Sequence, residues 1–158
     1  MKNKDENILH HNELFVNSER FPFLFMTHTQ VVIVCGSESD FPFAEKITKP
    51  LIEKGISTEL FAASAHKEPK KVLEIVEIHK QDPKTILVTI AGRSNALSGF
   101  VAANSNNITI ACPPHKDKND YLVNIHSTLQ MPSKTPVLTI IDPGNCVLAI
   151  ERIIASQV

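Results

Sequence analysis

Short, continuous apolar runs recur along this chain and alternate with stretches of helical character. Val31–Cys35 is entirely apolar and mostly β-branched, and residues 85–90 are nearly as apolar. Such runs are typical of strands buried on both faces of a parallel sheet. The alternation therefore predicts right-handed βαβ units with helices on both faces. The predicted strands are residues 31–35, 56–62, 85–90, 108–112 and 137–141.

The helical stretches complete the predicted fold. Pro50 lies inside the first of them and is expected to kink or break it, at a cost of about 3 kcal/mol. Five βα units predict an α/β fold, a single-domain three-layer αβα sandwich around a five-stranded parallel sheet in flavodoxin-like order, with the first strand central. The predicted helices are residues 41–54, 69–80, 95–103, 121–129 and 145–155.

Composition narrows the class of protein. A chain of 158 residues fits one domain, which we place at residues 30–158. Residues 1–29 have mixed polarity without a clear period and are interpreted as an N-terminal extension. Sixteen basic against seventeen acidic residues argue against nucleic-acid and membrane-surface partners. Three cysteines without CxxC spacing, and no apolar run of membrane-spanning length, favour a cytoplasmic protein.

In doubly wound sheets the ligand lies beyond the carboxyl ends of the strands, which selects three loops. The first, residues 36–40, reads Gly-Ser-Glu-Ser-Asp. Its glycine permits close backbone approach, and its hydroxyls with the N–H groups of a helix start suit phosphate. Asp40 is better suited to ribose hydroxyls. The alternative interpretation is a simple helix cap by Ser39 or Asp40. The loop is neither GxGxxG nor a P-loop, which argues against dinucleotide and P-loop sites.

The second loop, residues 64–69, reads Ser-Ala-His-Lys-Glu-Pro. Histidine can donate or accept a proton near neutral pH, so His66 is the candidate proton carrier. Lys67 supplies a cation for a phosphate or carboxylate, and Pro69 fits the first turn of the next helix. The alternative is a structural or merely solvated histidine.

The third loop, residues 91–99, is rich in small residues that leave room for a ligand. Arg93 offers a planar fork for a carboxylate or phosphate, and backbone amides near Gly92 could hold an anion. The alternative is a glycine-bounded loop with a solvated arginine. His79, His115 and His126 share no metal-binding spacing with an acid or cysteine, and no flavin, pyridoxal phosphate or biotin signature is present.

These loops, with Cys-Pro-Pro at 112–114 and Leu-Gln-Met-Pro at 129–132, occur in an order that resembles the phosphoribosylaminoimidazole carboxylase family of purine biosynthesis. The resemblance covers about residues 31–155. One branch of the family, a mutase, carries Gly-Gly-Ala-Ala-His-Leu-Pro-Gly in the third loop. Residues 91–97 read Ala-Gly-Arg-Ser-Asn-Ala-Leu and resemble the other branch (class II), which adds free carbon dioxide to aminoimidazole ribonucleotide. Lys67 in place of arginine also matches that branch.

The resemblance implies a role for each loop. His66 would carry the ring proton, and the first two loops would bind phosphate and ribose. The third loop would line the carboxylate or carbon dioxide pocket. The resemblance implies no ATP, metal, biotin or other cofactor. It does imply a homo-oligomer in which neighbouring subunits complete each other's sites. The implied substrate-binding residues are Gly36, Ser37, Ser39, Asp40, Ser64, Lys67, Gly92, Arg93, Ser94, Asn95 and Leu97.

Two other functions stay open at this point. One is the carboxyaminoimidazole ribonucleotide mutase of the same family. The other is a non-catalytic, flavodoxin-like nucleotide-binding module, against which His66 and its cationic neighbour argue.

Overall fold

A computed structural model describes residues 31–157, so the predicted extension at residues 1–29 lies outside the described residues. Within that range all strand pairings are parallel, and the sheet order is 2-1-3-4-5 by strand number. The flavodoxin-like prediction is confirmed. The first strand is interior, between the second and third, while the third occupies the middle. The strands are β1 Val31–Cys35, β2 Thr58–Ala62, β3 Ile86–Ile90, β4 Thr109–Ala111 and β5 Leu138–Thr139.

Helices follow each strand, as predicted. A 3₁₀ helix, Glu38–Asp40, leads directly into the first helix. The last two strands are shorter than predicted, because only three residues of β4 and two of β5 enter the ladder. The helices are α1 Phe41–Glu53, α2 Pro69–His79, α3 Ala96–Asn104, α4 Lys118–Leu129 and α5 Pro143–Ser156.

The core forms two layers, one on each face of the sheet. Alternate residues of β1 point to opposite faces. Val31 and Ile33 pack with α1 and α5, whereas Val32 and Val34 pack with α2 and α3. All residues of β1 and β3 are buried, which explains their continuous apolar runs. Strand β2 lies at an edge of the sheet and is only half-buried.

Pro50 does not break α1, which continues to Glu53. The sequence-based expectation of a break was wrong. Pro50 lies in the last turn, so only a short piece of helix follows it, and Lys54 N–H donates to the Pro50 carbonyl at 3.3 Å. Ile47 and Leu51 on either side are fully buried in the core. Their burial holds the helix together across the missing N–H.

Three backbone hydrogen bonds join the loops at the carboxyl edge of the sheet. Gly36 N–H donates to the Ile90 carbonyl at 2.8 Å, and Ala63 N–H donates to the Cys35 carbonyl at 2.9 Å. Cys112 N–H donates to the Thr89 carbonyl at 2.9 Å. Since β2, β1 and β3 are neighbours, the loops that follow them open side by side.

Candidate active site

The loop after β1 presents two adjacent hydroxyl groups. Ser37 Oγ accepts hydrogen bonds from the Ser39 N–H at 3.3 Å and the Ser39 hydroxyl at 3.0 Å. Ser37 thereby caps the 3₁₀ helix, and both serines are exposed. The expected alternative, a cap by Ser39 or Asp40, is not what the structure shows. Asp40 precedes the first residue of α1, and its side chain makes no capping hydrogen bond, so its carboxylate does not bond to the helix N-terminus.

The Asp40 carboxyl group is half-buried beside the end of β1. Burial raises its pKa above the ordinary value, while a backbone hydrogen bond from Ser37 and the charge of Lys116 oppose that shift. Asp40 in turn contributes to the raised pKa of the Cys35 thiol, about 12, whose main cause is burial. A partly desolvated acceptor at the mouth of the loop suits hydroxyl donors of a ligand.

The loop after β2 is a tight turn that displays His66 and Lys67. Ser64 Oγ accepts the Lys67 N–H at 3.3 Å, and the Ser64 carbonyl accepts the Glu68 N–H at 2.7 Å. His66 and Lys67 are exposed, and within residues 31–157 neither side chain makes a hydrogen bond or ion pair. Pro69 occupies the first turn of α2, as predicted. Both side chains are therefore available to a ligand.

The loop after β3 leaves backbone donors free. Ser94 has a left-handed backbone, with φ of 52°. In the described part of the chain, the N–H groups of Gly92, Arg93 and Ser94 have no hydrogen-bond partner. Successive N–H groups next to a left-handed residue form concave anion-binding sites. The Arg93 side chain is 74% exposed, and its Nη2 lies 3.7 Å from Asp120 Oδ1.

Two of the predicted binding residues lie inside the fold rather than at its surface. Leu97 is 2% exposed in the core, and Asn95 is 5% exposed. Asn95 Oδ1 accepts the Ser98 N–H at 3.1 Å and caps α3, while its Nδ2 donates to Thr128 Oγ1 at 3.0 Å. Its backbone N–H donates to Ser127 Oγ at 2.6 Å. This geometry supports a structural role for both residues, which shape the third loop from behind.

Sequence reasoning missed the contribution of the loop after β4 and of α4. The charge of Lys116 lowers the pKa of Asp40, and Asp120 forms an ion pair with Arg93. Asn124 lies against Gly92, and its Nδ2 donates to the Pro114 carbonyl at 2.6 Å. The Cys-Pro-Pro motif at 112–114 could have indicated this contribution, because it marks the end of β4. The loop after β4 leaves the carboxyl edge of the parallel sheet, as do the three predicted loops.

A separate cleft of about 530 Å³ lies at the same edge of the sheet, between α1, the loop after β4 and the start of α5. Phe43, Lys46, His115, Tyr121 and Asp142 contribute to its walls. None of the predicted site residues lines it. This cleft is therefore distinct from the three predicted loops.

Residues 31–157 contain no group of three histidine, cysteine or acidic side chains placed to hold a metal ion. In the same range, no helix has both the length and the apolarity needed to cross a bilayer.

The sheet order defines a flavodoxin-like α/β protein whose candidate site lies in the loops at the carboxyl edge of the sheet. The family model described as AIR carboxylase matches residues 30–158. The chain belongs to this family.

Known relatives agree with that assignment. The phosphoribosylaminoimidazole carboxylase of Archaeoglobus fulgidus is 44% identical over 127 residues, which cover 80% of this chain and 69% of the relative. The N5-carboxyaminoimidazole ribonucleotide mutase of Methanocaldococcus jannaschii is 40% identical over 124 residues, covering 77% and 76%. The crystal structure of Treponema denticola PurE superimposes with a TM-score of 0.71 at 35% identity, covering 82% of this chain and 89% of that one.

Proposed function

We propose that this protein is a phosphoribosylaminoimidazole carboxylase, a carbon–carbon lyase of purine (IMP) biosynthesis. It adds carbon dioxide reversibly to 5-aminoimidazole ribonucleotide, giving the 4-carboxy product without ATP. The observation that carries the proposal is the side-by-side placement of an available histidine and lysine with a loop of free N–H groups. Its family membership and its carboxylase relatives support the same reaction.

The roles of the loops follow from their chemistry. The hydroxyls of Ser37, Ser39 and Ser64, the Gly36 backbone and the Lys67 cation bind the phosphate. Asp40 accepts hydrogen bonds from the ribose. Asn95 and Leu97, proposed as binding residues from the sequence, act by holding the third loop in shape.

Carboxylation needs one bond made and one proton removed. The amino group of the substrate donates electrons into the ring, so the neighbouring carbon attacks carbon dioxide. The adduct then loses its ring proton to the His66 imidazole, which restores the aromatic ring. The N–H groups of Gly92 and Ser94 and the Arg93 guanidinium stabilise the new carboxylate. In reverse, the imidazolium returns the proton and carbon dioxide leaves.

The mutase branch is the second candidate, favoured by the M. jannaschii relative. Arg93, Ser94 and Asn95 in the third loop favour the carboxylase branch instead. In an assay begun with dissolved carbon dioxide, turnover should start fast and slow as hydration proceeds, and carbonic anhydrase should abolish the fast phase. Conversion of the nitrogen-carboxylated ribonucleotide faster than its spontaneous decarboxylation would establish the mutase. A ribonucleotide that binds but is never carboxylated would establish a silent binding module.

We also propose a cytoplasmic homo-oligomer in which neighbouring subunits complete each site. Large apolar side chains of α4 and β5 are exposed in the single chain, Leu129 at 60% and Leu138 at 52%. Strand β5 is also an edge strand, a feature that proteins usually cover. The three free, buried cysteines suit a reducing compartment. Light scattering should give a mass of several subunits, and a monomer with full activity would contradict the shared site.

The domain is proposed to begin at residue 30, with residues 1–29 as an extension. Deletion of residues 1–25 should then leave a folded, active protein. Loss of activity with an unchanged circular dichroism spectrum would show that the extension contributes to a site.

A further inference from the structure

Asn124 carries an unpaired acceptor next to Gly92 of the third loop. The residue is 3% exposed on α4, and its Nδ2 donates to the Pro114 carbonyl at 2.6 Å. Its Oδ1 is buried and has no hydrogen-bond partner among residues 31–157. A buried acceptor without a donor costs free energy, because it loses its water and gains nothing in exchange. The Nδ2 bond to Pro114 fixes the orientation of the amide, so Oδ1 is the end that lacks a partner.

The amide of Asn124 lies directly against Gly92. A Cβ atom placed on Gly92 would lie 3.5 Å from Asn124 Nδ2 and 3.8 Å from Oδ1, at ordinary van der Waals distance. A methyl-sized space therefore exists between the third loop and the amide. The backbone φ of Gly92 lies outside the left-handed region, so an alanine there would fill that space without backbone strain.

The other groups at this loop are donors. The free N–H groups of Gly92 and Ser94 and the Arg93 guanidinium all suit an anion. The carbon that gains the carboxylate in the proposed reaction is bonded to the carbon that bears the amino group. A ligand whose carboxylate meets these donors therefore places its amino group next to them, where it needs an acceptor.

We propose that Asn124 is a specificity-determining residue whose Oδ1 accepts a hydrogen bond from the amino group of the bound aminoimidazole. This inference rests on the proposed function and adds a residue on α4 to it. A hydrogen bond from the amino group to Oδ1 favours donation of the nitrogen lone pair into the ring. Asn124 thereby both selects an amino-substituted ring and assists its attack on carbon dioxide.

The test compares two ligands in four proteins by isothermal titration without carbon dioxide. The ligands are aminoimidazole ribonucleotide and imidazole ribonucleotide, which lacks the amino group. Wild type should bind the amino ligand about tenfold more tightly, as one well-placed hydrogen bond allows. Asn124→Leu keeps the side-chain shape but removes the acceptor, so the preference should fall to about twofold or less.

Two further variants separate recognition from fold. Gly92→Ala should fold, and its methyl group should abolish the preference by blocking the approach to Oδ1. Asn107→Leu is the matched control, because Asn107 is also buried with an unpaired Oδ1 and a bonded Nδ2. It precedes β4 and therefore lies at the opposite edge of the sheet. Asn107→Leu should lower the melting temperature and keep the tenfold preference.

The outcomes are distinct. Equal binding of both ligands by wild type, or an unchanged preference in Asn124→Leu or Gly92→Ala, overturns the inference and leaves Asn124 a structural residue. If Asn124→Leu does not fold, Gly92→Ala decides the matter alone. Failure of the proposed function would show differently, as a wild type that binds the amino ligand with the expected preference but does not carboxylate it.

Discussion

Arg93 and Asp120 form an ion pair that joins the loop after β3 to α4, with Nη2 and Oδ1 3.7 Å apart. The Asp120 side chain is only 20% exposed, and its other oxygen accepts the Lys116 N–H at 3.2 Å. Asp120 is thus held in place, whereas Arg93 is 74% exposed. A partner this exposed can leave the pair for a ligand anion at little cost.

Asp120→Asn should free the Arg93 guanidinium for a ligand anion, because a neutral asparagine no longer competes with that anion for the positive charge. The free energy of unfolding should change by less than about 1 kcal/mol, since an ion pair at 3.7 Å with an exposed arginine contributes little. Affinity for the ribonucleotide, measured by titration, should stay constant or rise by a few-fold. A marked loss of affinity would show instead that Asp120 positions the Arg93 guanidinium for the ligand.

His66→Asn should remove turnover and leave ribonucleotide affinity within a few-fold. General acid–base groups contribute about 10²–10⁴ in rate, and asparagine cannot carry the proton. The phosphate contacts lie on other residues. Steady-state kinetics with titration would check both quantities, with His126→Asn on the exposed surface of α4 as the control. Near wild-type turnover in His66→Asn would end the proton-carrier assignment.

Lys67→Ala should weaken ribonucleotide binding by about 10- to 150-fold. A charge-assisted contact to an anion contributes about 1.5–3 kcal/mol, and Lys67 has no competing partner within residues 31–157. Lys70→Ala, an exposed lysine on the next turn, removes the same charge and should bind normally. Equal dissociation constants for the two variants would make Lys67 a surface charge only.

Asp40→Asn should stabilise the protein at neutral pH and weaken ribonucleotide binding. Burial raises the native pKa of Asp40 above its ordinary value of 3.8, so the native state binds this proton more tightly than the unfolded state. That contribution to stability is complete below pH 3.8 and is lost as the pH rises through the raised pKa. The variant should therefore gain in melting temperature over wild type between pH 4 and 7. A gain that is independent of pH would exclude ionisation as the cause.

Asn95→Ala should destabilise the fold. It removes the cap of α3 and leaves Thr128 and Ser98 short of a partner, which costs about 1–3 kcal/mol. Urea unfolding would measure the loss, with exposed Asn106→Ala as the control. Full stability with weakened substrate binding would return Asn95 to the set of direct ligand contacts.

Much of the candidate site was visible in the sequence because its residues follow strands directly. A buried parallel strand is recognised in the sequence by its continuous apolar run, and the polar residues that follow it lie at the carboxyl edge of the sheet. Ser37, His66 and Arg93 were found in this way, and the structure places the loops that carry them side by side. The hydrogen-bonding and proton-transfer chemistry of these side chains depends on residue type, which is read directly from the sequence.

Other features depend on partners far away in the chain. Asn95 pairs with Ser127 and Thr128, more than 30 residues later, and no local period indicates that contact. The same holds for Asn124 beneath Gly92. Pro50 was expected to kink or break α1, because propensity counts only the lost N–H. The helix nevertheless continues to Glu53, because burial of Ile47 and Leu51 outweighs that loss.

The sequence by itself determined the order of strands and helices, the parallel arrangement of the strands and the residue types in the three loops, although not the lengths of β4 and β5. These follow from periodicity and residue chemistry, which act over a few positions. Only the tertiary structure decided which of those residues face outward and which, such as Asn95 and Leu97, turn inward. It also decided that α4 supports the third loop. Both outcomes depend on packing between segments that are distant in the chain. The contacts of a side chain are set by which helices and strands pack together and not by its neighbours in the sequence.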